Sequence, residues 1–398
     1  MNLIIASTLG GLHRAQNLVA QENLKNNVLG ILFTTANLEV PRNLLENVID
    51  GFFDAVEMIE ISKSTQEVRL NKAKVDYATY KGIFDKYPLS KVFINSFDFH
   101  YNHINTLARE RNIPVALYEE GTGTYNFLTG HSKFVEPNFT ERMKSATWPL
   151  KKLLSRYKNL LLIQTFVVII KTTKQVLFGL FTVSFKKKIR SYFYPKHLRA
   201  AFGQIKAYDE IYVVFPEMGE KIFTANSYRK LNLAYHLRDD LVDKIDTQPF
   251  SEDDVIFVDQ VFSVPVKIHL QAVFSYLDKR YPEKNIYLKL HPKLREKTKL
   301  EYEEWLSKEK PNARLLETGT SDLPLEVILQ LKSAKHLVGL TSTTLVNAKE
   351  LIPEITVFSF MSYYIDFVSK YAFIPKASID NLYYHKAHLE IYQTIEIV

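Results

Sequence analysis

The sequence contains no cysteine among its 398 residues. This absence excludes a disulfide scaffold, a metal site built on thiolates and a cysteine nucleophile. The chain also lacks an uninterrupted apolar run of about 18 residues, the length that a membrane-spanning helix needs. No basic segment precedes the short apolar run at the start, so no secretion signal is predicted there. We therefore expect a cytoplasmic protein.

The composition is that of a folded protein with more than one core. Apolar residues make up 46% of the chain and aromatic residues 13%, values that exclude wholesale disorder. A chain of this length is too long for one ordinary hydrophobic core. Two domains are therefore expected.

The net charge of +7 conceals an uneven distribution of charge along the chain. Residues 142–208, here called the basic block, contain 15 lysines and arginines but neither aspartate nor glutamate. The rest of the chain is consequently net negative. A local cluster of this kind indicates a surface that binds a polyanion or a membrane, or simply a solvated helical face.

Short runs that are apolar on both faces alternate with helical patterns, first from residue 2 to residue 118 and again from residue 210 onward. Such runs are typical of parallel strands covered by helices. We therefore predict an α/β protein of two Rossmann-like domains, with a ligand cleft between the carboxyl ends of their strands. The predicted boundaries are 1–205 with the basic block as an insertion, 206–370, and a segment at 371–398 that packs back on the first domain.

The first candidate motif is a pair of acids at the end of a predicted strand. Glu119 and Glu120 precede a glycine-rich turn made of Gly121, Thr122 and Gly123. A carboxylate in this position can act as a general base, and repulsion by its neighbour would raise its pKa. The glycines let the backbone approach a ligand closely. The alternative is a plain turn with solvated acids.

The second motif is a histidine between two lysines, again where a predicted strand ends. Lys289 lies in the strand, and His291 is followed by Pro292 and Lys293. The proline disfavours a helical conformation for His291, so the imidazole is expected to point out of the end of the strand. Such a cationic group suits an anion such as a phosphate. The alternative is an exposed histidine in a loop.

The third motif is a hydroxyl-rich turn between a predicted strand and a predicted helix, centred on Ser342 and Thr343. Hydroxyls at a helix N-terminus cap the helix, and together with the free backbone N–H groups they also form a phosphate site. Capping alone would explain this turn if it stood by itself. Three such features at three strand ends favour one shared site.

The segments EEGTGTY, KLHPK and HLVGLTSTTLV, in this order, resemble the motif set of the bacterial capsule polysialyltransferases. The lipooligosaccharide sialyltransferases, which add a single sialic acid, are the nearest alternative family. The resemblance implies a GT-B type fold with an acceptor-side domain and a CMP-sugar-binding domain. It also implies transfer of sialic acid from CMP-sialic acid to the non-reducing end of a growing polysialic acid capsule chain, with inversion. No metal ion or other cofactor is implied.

The same resemblance implies a role for each motif. Of the two acids, Glu119 is favoured as the base that deprotonates the acceptor hydroxyl, with Glu120 as its rival, because neighbouring residues at a strand end point apart. His291 would stabilise the departing phosphate by hydrogen bonding or as a general acid. Ser342 and Thr343 would hold the same phosphate. Because CMP has one phosphate and the chain has no Asp-x-Asp element, a bridging cation is dispensable.

The resemblance also implies contacts with the nucleotide and with the acceptor. The remaining residues expected to bind the donor are Lys289, Pro292 and Lys293 near the cytidine and Glu326 at the ribose, although a solvated helix carboxylate would explain Glu326 as well. The residues expected to bind the polyanionic acceptor are Gly121, Thr122, Gly123, Lys186, Lys187, Lys188 and Arg190. The last four belong to the basic block, which would form a salt-sensitive track for oligosialic or polysialic acid.

The basic block also permits other interpretations. Its apolar segments with flanking lysines favour docking of a peripheral protein on the inner face of the bacterial inner membrane, beside the capsule export machinery. A nucleic-acid-binding protein would use the same block but would leave the three motifs without purpose, so no nucleic-acid partner is expected. A nucleotide-sugar epimerase, which also has two Rossmann domains, is the weaker alternative.

Overall fold

The fold is described from a computed structural model of the chain. The structure describes residues 1–34, 39–61, 70–97, 99–129, 195, 198, 207–236, 250–291, 294, 296–316, 324–332 and 334–398. Six of the residues predicted to bind substrate lie outside the described residues, namely Lys186, Lys187, Lys188, Arg190, Pro292 and Lys293. The polyanion track of the basic block therefore stays a prediction.

The N-terminal domain is built on a parallel sheet. The described strands of this sheet are β1 (Asn2–Ala6), β2 (Asn27–Phe33), β3 (Ala55–Glu60), β4 (Lys91–Ile94), β5 (Val115–Tyr118), β6 (Ala207–Val213) and β7 (Thr224–Lys230). Their spatial order is β3-β2-β1-β4-β5-β6-β7, and every neighbouring pair is parallel. This order reverses between β1 and β4, as in a Rossmann fold.

Helices cover both faces of this sheet. They are α1 (Leu9–Gln21), α2 (Glu39–Glu46), α3 (Leu70–Lys86), α4 (Phe99–Glu110) and α5 (Pro216–Ile222), and a 3-10 helix (Thr122–Thr129) follows β5. Alternate residues of β1 enter different cores: Ile4 packs with Leu18 of α1, whereas Leu3 packs with Phe84 of α3 and Ile104 of α4. Burial on both faces explains why the strand is continuously apolar.

The C-terminal domain repeats the same plan. Its described strands are β8 (Val255–Val258), β9 (Ile286–Lys289), β10 (Ala313–Leu315), β11 (His336–Gly339), β12 (Thr356–Ser359) and β13 (Glu396–Ile397). Its described helices are α6 (Val266–Arg280), α7 (Glu296–Glu309), α8 (Leu325–Leu331), α9 (Thr343–Leu351), α10 (Met361–Val368) and α11 (Lys376–Glu390). The parallel order β10-β9-β8-β11-β12-β13 is again that of a Rossmann sheet. The prediction of two Rossmann-like domains is confirmed.

The predicted boundary at residue 205/206 does not match the sheets. Strands β6 and β7 pair with β5 and extend the N-terminal sheet as far as Lys230. The apolar pattern of β6 would be the same in either sheet, so it could not reveal which sheet that strand joins, and the polar, largely exposed β7 has no such pattern. At the other end of the chain, Tyr392 packs edge-on against Tyr125 and Phe215 of the N-terminal domain, while β13 pairs with β12.

Gly11 is the position in α1 where a side chain is least tolerable. A Cβ built there would overlap the side-chain amide of the buried Asn95, which follows β4, and would lie 3.2 Å from the Thr8 hydroxyl that caps α1. Gly82, an exposed residue of α3, has nothing within 4 Å of such a Cβ. The two glycines therefore form a matched pair.

We expect Gly11→Ala to lower the free energy of unfolding by about 1–3 kcal/mol, because the gain in helix propensity is outweighed by the overlap. Gly82→Ala should raise it by about 0.5–1 kcal/mol, because the same gain comes without a clash. Urea unfolding followed by circular dichroism measures both changes. Equal stabilisation by the two substitutions would contradict the close approach at Gly11.

Candidate active site

A cavity of about 920 Å³ lies between the two domains, at the carboxyl ends of their strands. The N-terminal domain contributes the start of α1 and residues that follow β5, and the C-terminal domain contributes residues that follow β8, β9 and β11. In each sheet the strand order reverses beside the first strand, β1 or β8, and the diverging loops leave room for a ligand. The cavity therefore occupies the place where Rossmann folds bind ligands.

The two acids of the first motif lie in different surroundings. Glu119 is 1% exposed, and its Oε2 accepts hydrogen bonds from the Tyr125 hydroxyl and from the Val214 N–H, the latter at 2.8 Å. Glu120 lines the cavity, and its Oε1 accepts a hydrogen bond of 2.8 Å from the Thr8 hydroxyl. The sequence analysis favoured Glu119 as the base, but it is Glu120 that lines the cavity.

The 3-10 helix after β5 explains this difference. It covers the sheet face toward which Glu119 points and brings the buried ring of Tyr125 onto the carboxylate. Burial, and then the charge of Glu119, raise the pKa of Tyr125 well above its usual value, so its hydroxyl stays a donor. Of the predicted glycine-rich turn, Gly121 lines the cavity, whereas Gly123 is exposed and Thr122 begins the 3-10 helix.

The third motif forms the N-terminus of α9 at the cavity. Ser342 is the N-cap residue, and its hydroxyl accepts a hydrogen bond of 3.3 Å from the Thr344 N–H. The preceding Thr341 donates its hydroxyl to Gln260 at 3.1 Å and so ties the turn to the residues after β8. Both Ser342 and Thr343 line the cavity. The turn thus caps the helix and presents hydroxyls to the cavity at the same time.

The second motif lines the cavity at the end of β9. Lys289 and His291 both contribute to the wall, close in sequence to the end of the strand. Burial lowers the pKa of the Lys289 ammonium from its usual value. The Lys289 ammonium and the N-terminus of α9 line the same cavity, an arrangement that favours an anion.

A buried polar cluster holds the loop after β8, which forms part of the C-terminal wall. Asp259, which follows β8, is 1% exposed and contacts His269 Nε2 at 2.9 Å and the Tyr302 hydroxyl at 3.0 Å. The other ring nitrogen of His269 contacts the Tyr364 hydroxyl at 2.8 Å. Because every member of the cluster is hydrogen-bonded, the cluster fixes the loop after β8 without an uncompensated buried group.

Glu326 is the predicted donor-binding residue whose surroundings differ most from expectation. It lines the cavity but is only 5% exposed, and its Oε1 accepts a hydrogen bond of 3.1 Å from Asn347 of α9. The alternative of a solvated helix carboxylate is therefore wrong. Asn347 Oδ1 in turn accepts a hydrogen bond of 3.3 Å from Arg14 of α1, across the interface between the domains.

Arg14, His13 and Asn347 are cavity residues that sequence reasoning missed. The available signal was the unbroken polar pair His13 and Arg14 in a helix whose neighbouring turns carry Leu12, Ala15 and Leu18. In isolation that pair looks like the solvent-facing side of α1. In the structure Gly11–Val19 are all buried. Arg14 contacts Asn347 of the C-terminal domain, and the ring of His13 packs edge-on against Tyr235, which follows β7.

The comparison with protein families gives a match over nearly the whole chain. The family described as alpha-2,8-polysialyltransferase matches residues 2–362. The matched range includes all three motifs and both walls of the cavity. No curated protein matches the sequence.

Several solved structures are distantly similar to this chain. UGT71G1 from Medicago truncatula, complexed with UDP-glucose, has 10% identity and a TM-score of 0.49 over 98% of this chain and 93% of that chain. The GT-B domain of a sialyltransferase from Photobacterium damselae has 10% identity and a TM-score of 0.43 over 100% and 99%. The UDP-GlcNAc 2-epimerase from Methanocaldococcus jannaschii has 12% identity and a TM-score of 0.46 over 90% and 83%. It is therefore the family match that assigns the chain.

Two further properties of the described residues concern membranes and metal ions. In the part of the chain that the structure describes, no helix is both long and apolar enough to cross a membrane. The described histidines, aspartates and glutamates include no group of three or more that could hold a metal ion.

His13 is expected to make the folded state sensitive to mild acid. Burial, together with the charges of Arg14 and His236, lowers the pKa of His13 from 6.5 to about 4. Between these two values the unfolded chain binds a proton that the folded chain does not, so stability falls as the pH decreases through this window. His13→Gln should reduce this loss in the free energy of unfolding by up to about 3 kcal/mol at the acid end of the window. Urea unfolding of both proteins between pH 7.5 and 4 tests this, and parallel curves would contradict it.

Proposed function

The chain belongs to the alpha-2,8-polysialyltransferase family and is a polysialyltransferase of GT-B type, and we propose that it transfers sialic acid from CMP-sialic acid with inversion and without a metal ion. As a glycosyltransferase it takes a nucleotide-sugar donor and an acceptor. The observation that carries the proposal is the cavity, where Glu120 of one domain and Ser342, His291 and Lys289 of the other line the same space.

The C-terminal wall is suited to the CMP half of the donor. The N-terminus of α9 offers the positive end of its helix dipole and the hydroxyls of Ser342 and Thr343, and Lys289 and His291 add cationic or hydrogen-bonding groups. The departing phosphate is already an anion, so the reaction needs stabilisation of charge more than a strong acid. His291 supplies this by hydrogen bonding, or by giving a proton to the phosphate oxygen.

The N-terminal wall is suited to the acceptor. We assign the general base to Glu120 rather than to Glu119, because Glu120 lines the cavity while Glu119 is enclosed by Tyr125 and Val214. The acceptor hydroxyl would pass its proton to Glu120 as its oxygen attacks the anomeric carbon. The bond from that carbon to the phosphate breaks in the same displacement, and CMP leaves. Base and phosphate site come from different domains, which is consistent with attack opposite the leaving group and hence with inversion.

The basic block bears on the acceptor and on the location of the protein. We propose that the acceptor is oligosialic or polysialic acid, guided by the basic block, and that the same block docks the protein on the inner face of the inner membrane. A polyanion with one carboxylate per sugar matches a segment of 15 positive charges without an acid. These assignments rest on the sequence.

The purified protein, incubated with CMP-sialic acid, EDTA and a fluorescent oligosialic acid primer, should yield a ladder of longer products. Elongation is expected to proceed in the presence of EDTA because CMP has no pyrophosphate for a metal ion to bridge. Product length is read by gel or anion-exchange chromatography. A requirement for a divalent cation would refute the metal-independent mechanism. Sialylation of a galactose-terminated acceptor without any primer elongation would refute polymer extension.

Glu120→Gln should lower kcat by about 10²- to 10⁴-fold, the usual effect of removing one acid–base group. Binding of CMP, measured by calorimetry, should change little, because Glu120 belongs to the other domain. Glu119→Gln is the matched control: the same change one residue earlier should affect kcat far less. The reverse pattern, with Glu119→Gln inactive and Glu120→Gln active, would return the role of base to Glu119.

A further inference from the structure

Arg14 is a buried cation in the cavity wall with few partners of its own. It is 4% exposed and lines the cavity. A guanidinium has five N–H donors. Within the residues that the structure describes, it donates one hydrogen bond, of 3.3 Å, to Asn347. Most of its donors are thus left for a ligand or for solvent in the cavity.

Glu119 balances the charge of Arg14 without occupying its donors. The distance from Arg14 Nη2 to Glu119 Oε1 is 4.0 Å, which is too long for a hydrogen bond. The other oxygen of Glu119 is already held by Tyr125 and Val214. A buried charge with unmet donors is costly unless a partner completes it. The arrangement therefore favours an anionic ligand group at Arg14.

His13 is an independent observation that points the same way. It is 2% exposed and lines the same cavity, and neither ring nitrogen has a hydrogen-bond partner among the described residues. With a pKa of about 4 its ring is neutral at physiological pH, so one nitrogen can donate and the other can accept. Two consecutive residues of α1 thus present unmatched polar groups to one cavity.

The contacts of Arg14 place it between the two halves of the site. On one side it approaches Glu119, next to the proposed base, and on the other it contacts Asn347 of α9, the helix whose N-terminus carries Ser342. In sialic acid the carboxylate is attached to the anomeric carbon, the atom at which the acceptor oxygen arrives and the phosphate departs. The donor carboxylate must therefore lie between the base and the phosphate site.

We propose that Arg14 binds the carboxylate of the donor sialic acid and that His13 completes this subsite with a hydrogen bond to the sugar. The inference rests on the proposed function and deepens it, because it names the group that selects a sialic acid donor over a neutral nucleotide sugar. Pairing with Arg14 also offsets the repulsion between the donor carboxylate and Glu120. A charge-assisted bond of this kind, shielded from water, is among the stronger single contacts in recognition.

The test compares CMP, the inert donor analogue CMP-3-fluorosialic acid and the methyl ester of that analogue by calorimetry. The wild-type protein should bind the acid about 10- to 100-fold more tightly than the ester, as expected for loss of one charged hydrogen-bonding contact. Arg14→Met should weaken binding of the acid by a similar factor, leave CMP within about twofold, and remove the preference for the acid. Arg14→Lys should restore part of that preference.

Asn347→Ala is the matched control, because it removes the hydrogen bond between the domains but leaves the charge of Arg14. It should keep the preference for the acid over the ester. Equal binding of acid and ester by the wild-type protein would overturn the proposal, whether or not any variant folds. Equal losses of CMP and of the acid in Arg14→Met would also overturn it, in favour of a purely structural role. Failure of the wild-type protein to elongate the primer would instead refute the proposed function.

Discussion

A line of four buried polar side chains crosses the interface between the domains and links the two walls of the cavity. Glu119 lies beside Arg14, Arg14 donates to Asn347, and Asn347 donates to Glu326. All four are at most 8% exposed. A guanidinium and two carboxylates are costly to bury unless they compensate one another. Because the hydrogen bond from Arg14 to Asn347 joins the two domains, this line favours the association that brings the acids of one domain to the phosphate-type site of the other.

The acid pair shows how neighbouring residues of one type come to differ. Glu119 points into the interior, where Tyr125, Val214 and Arg14 surround it, and it belongs to the framework. Glu120 lines the cavity and accepts a hydrogen bond from the Thr8 hydroxyl. The alternation of side chains at a strand end separates the two. Which of them faces the cavity depends on the 3-10 helix that follows, and on the Val214 N–H directly after β6.

The fold was largely predictable, and the candidate site was predictable in part. Runs that are apolar on both faces indicated covered parallel strands, and both sheets have the Rossmann order. Three motifs at strand ends were expected to meet, and residues of all three line one cavity. The boundary at residue 205/206 missed β6, whose apolar pattern does not reveal its sheet, and β7, which is polar. The sequence also allowed a solvent-exposed carboxylate at Glu326, because its partner Asn347 lies 21 positions away along the chain.

The sequence by itself determined the class of fold, the three motifs and their position at strand ends, since these follow from local periodicity and from residue type. The family match is likewise a property of the sequence. Only the tertiary structure decided that Glu120 rather than Glu119 opens to the cavity and that Glu326 is buried. The same holds for Arg14 and His13, whose places in the cavity wall depend on contacts with Asn347 and Tyr235, far along the chain. The physical reason is that burial and charge compensation are set by contacts between segments far apart in the chain, such as Arg14 with Asn347, which no local pattern encodes.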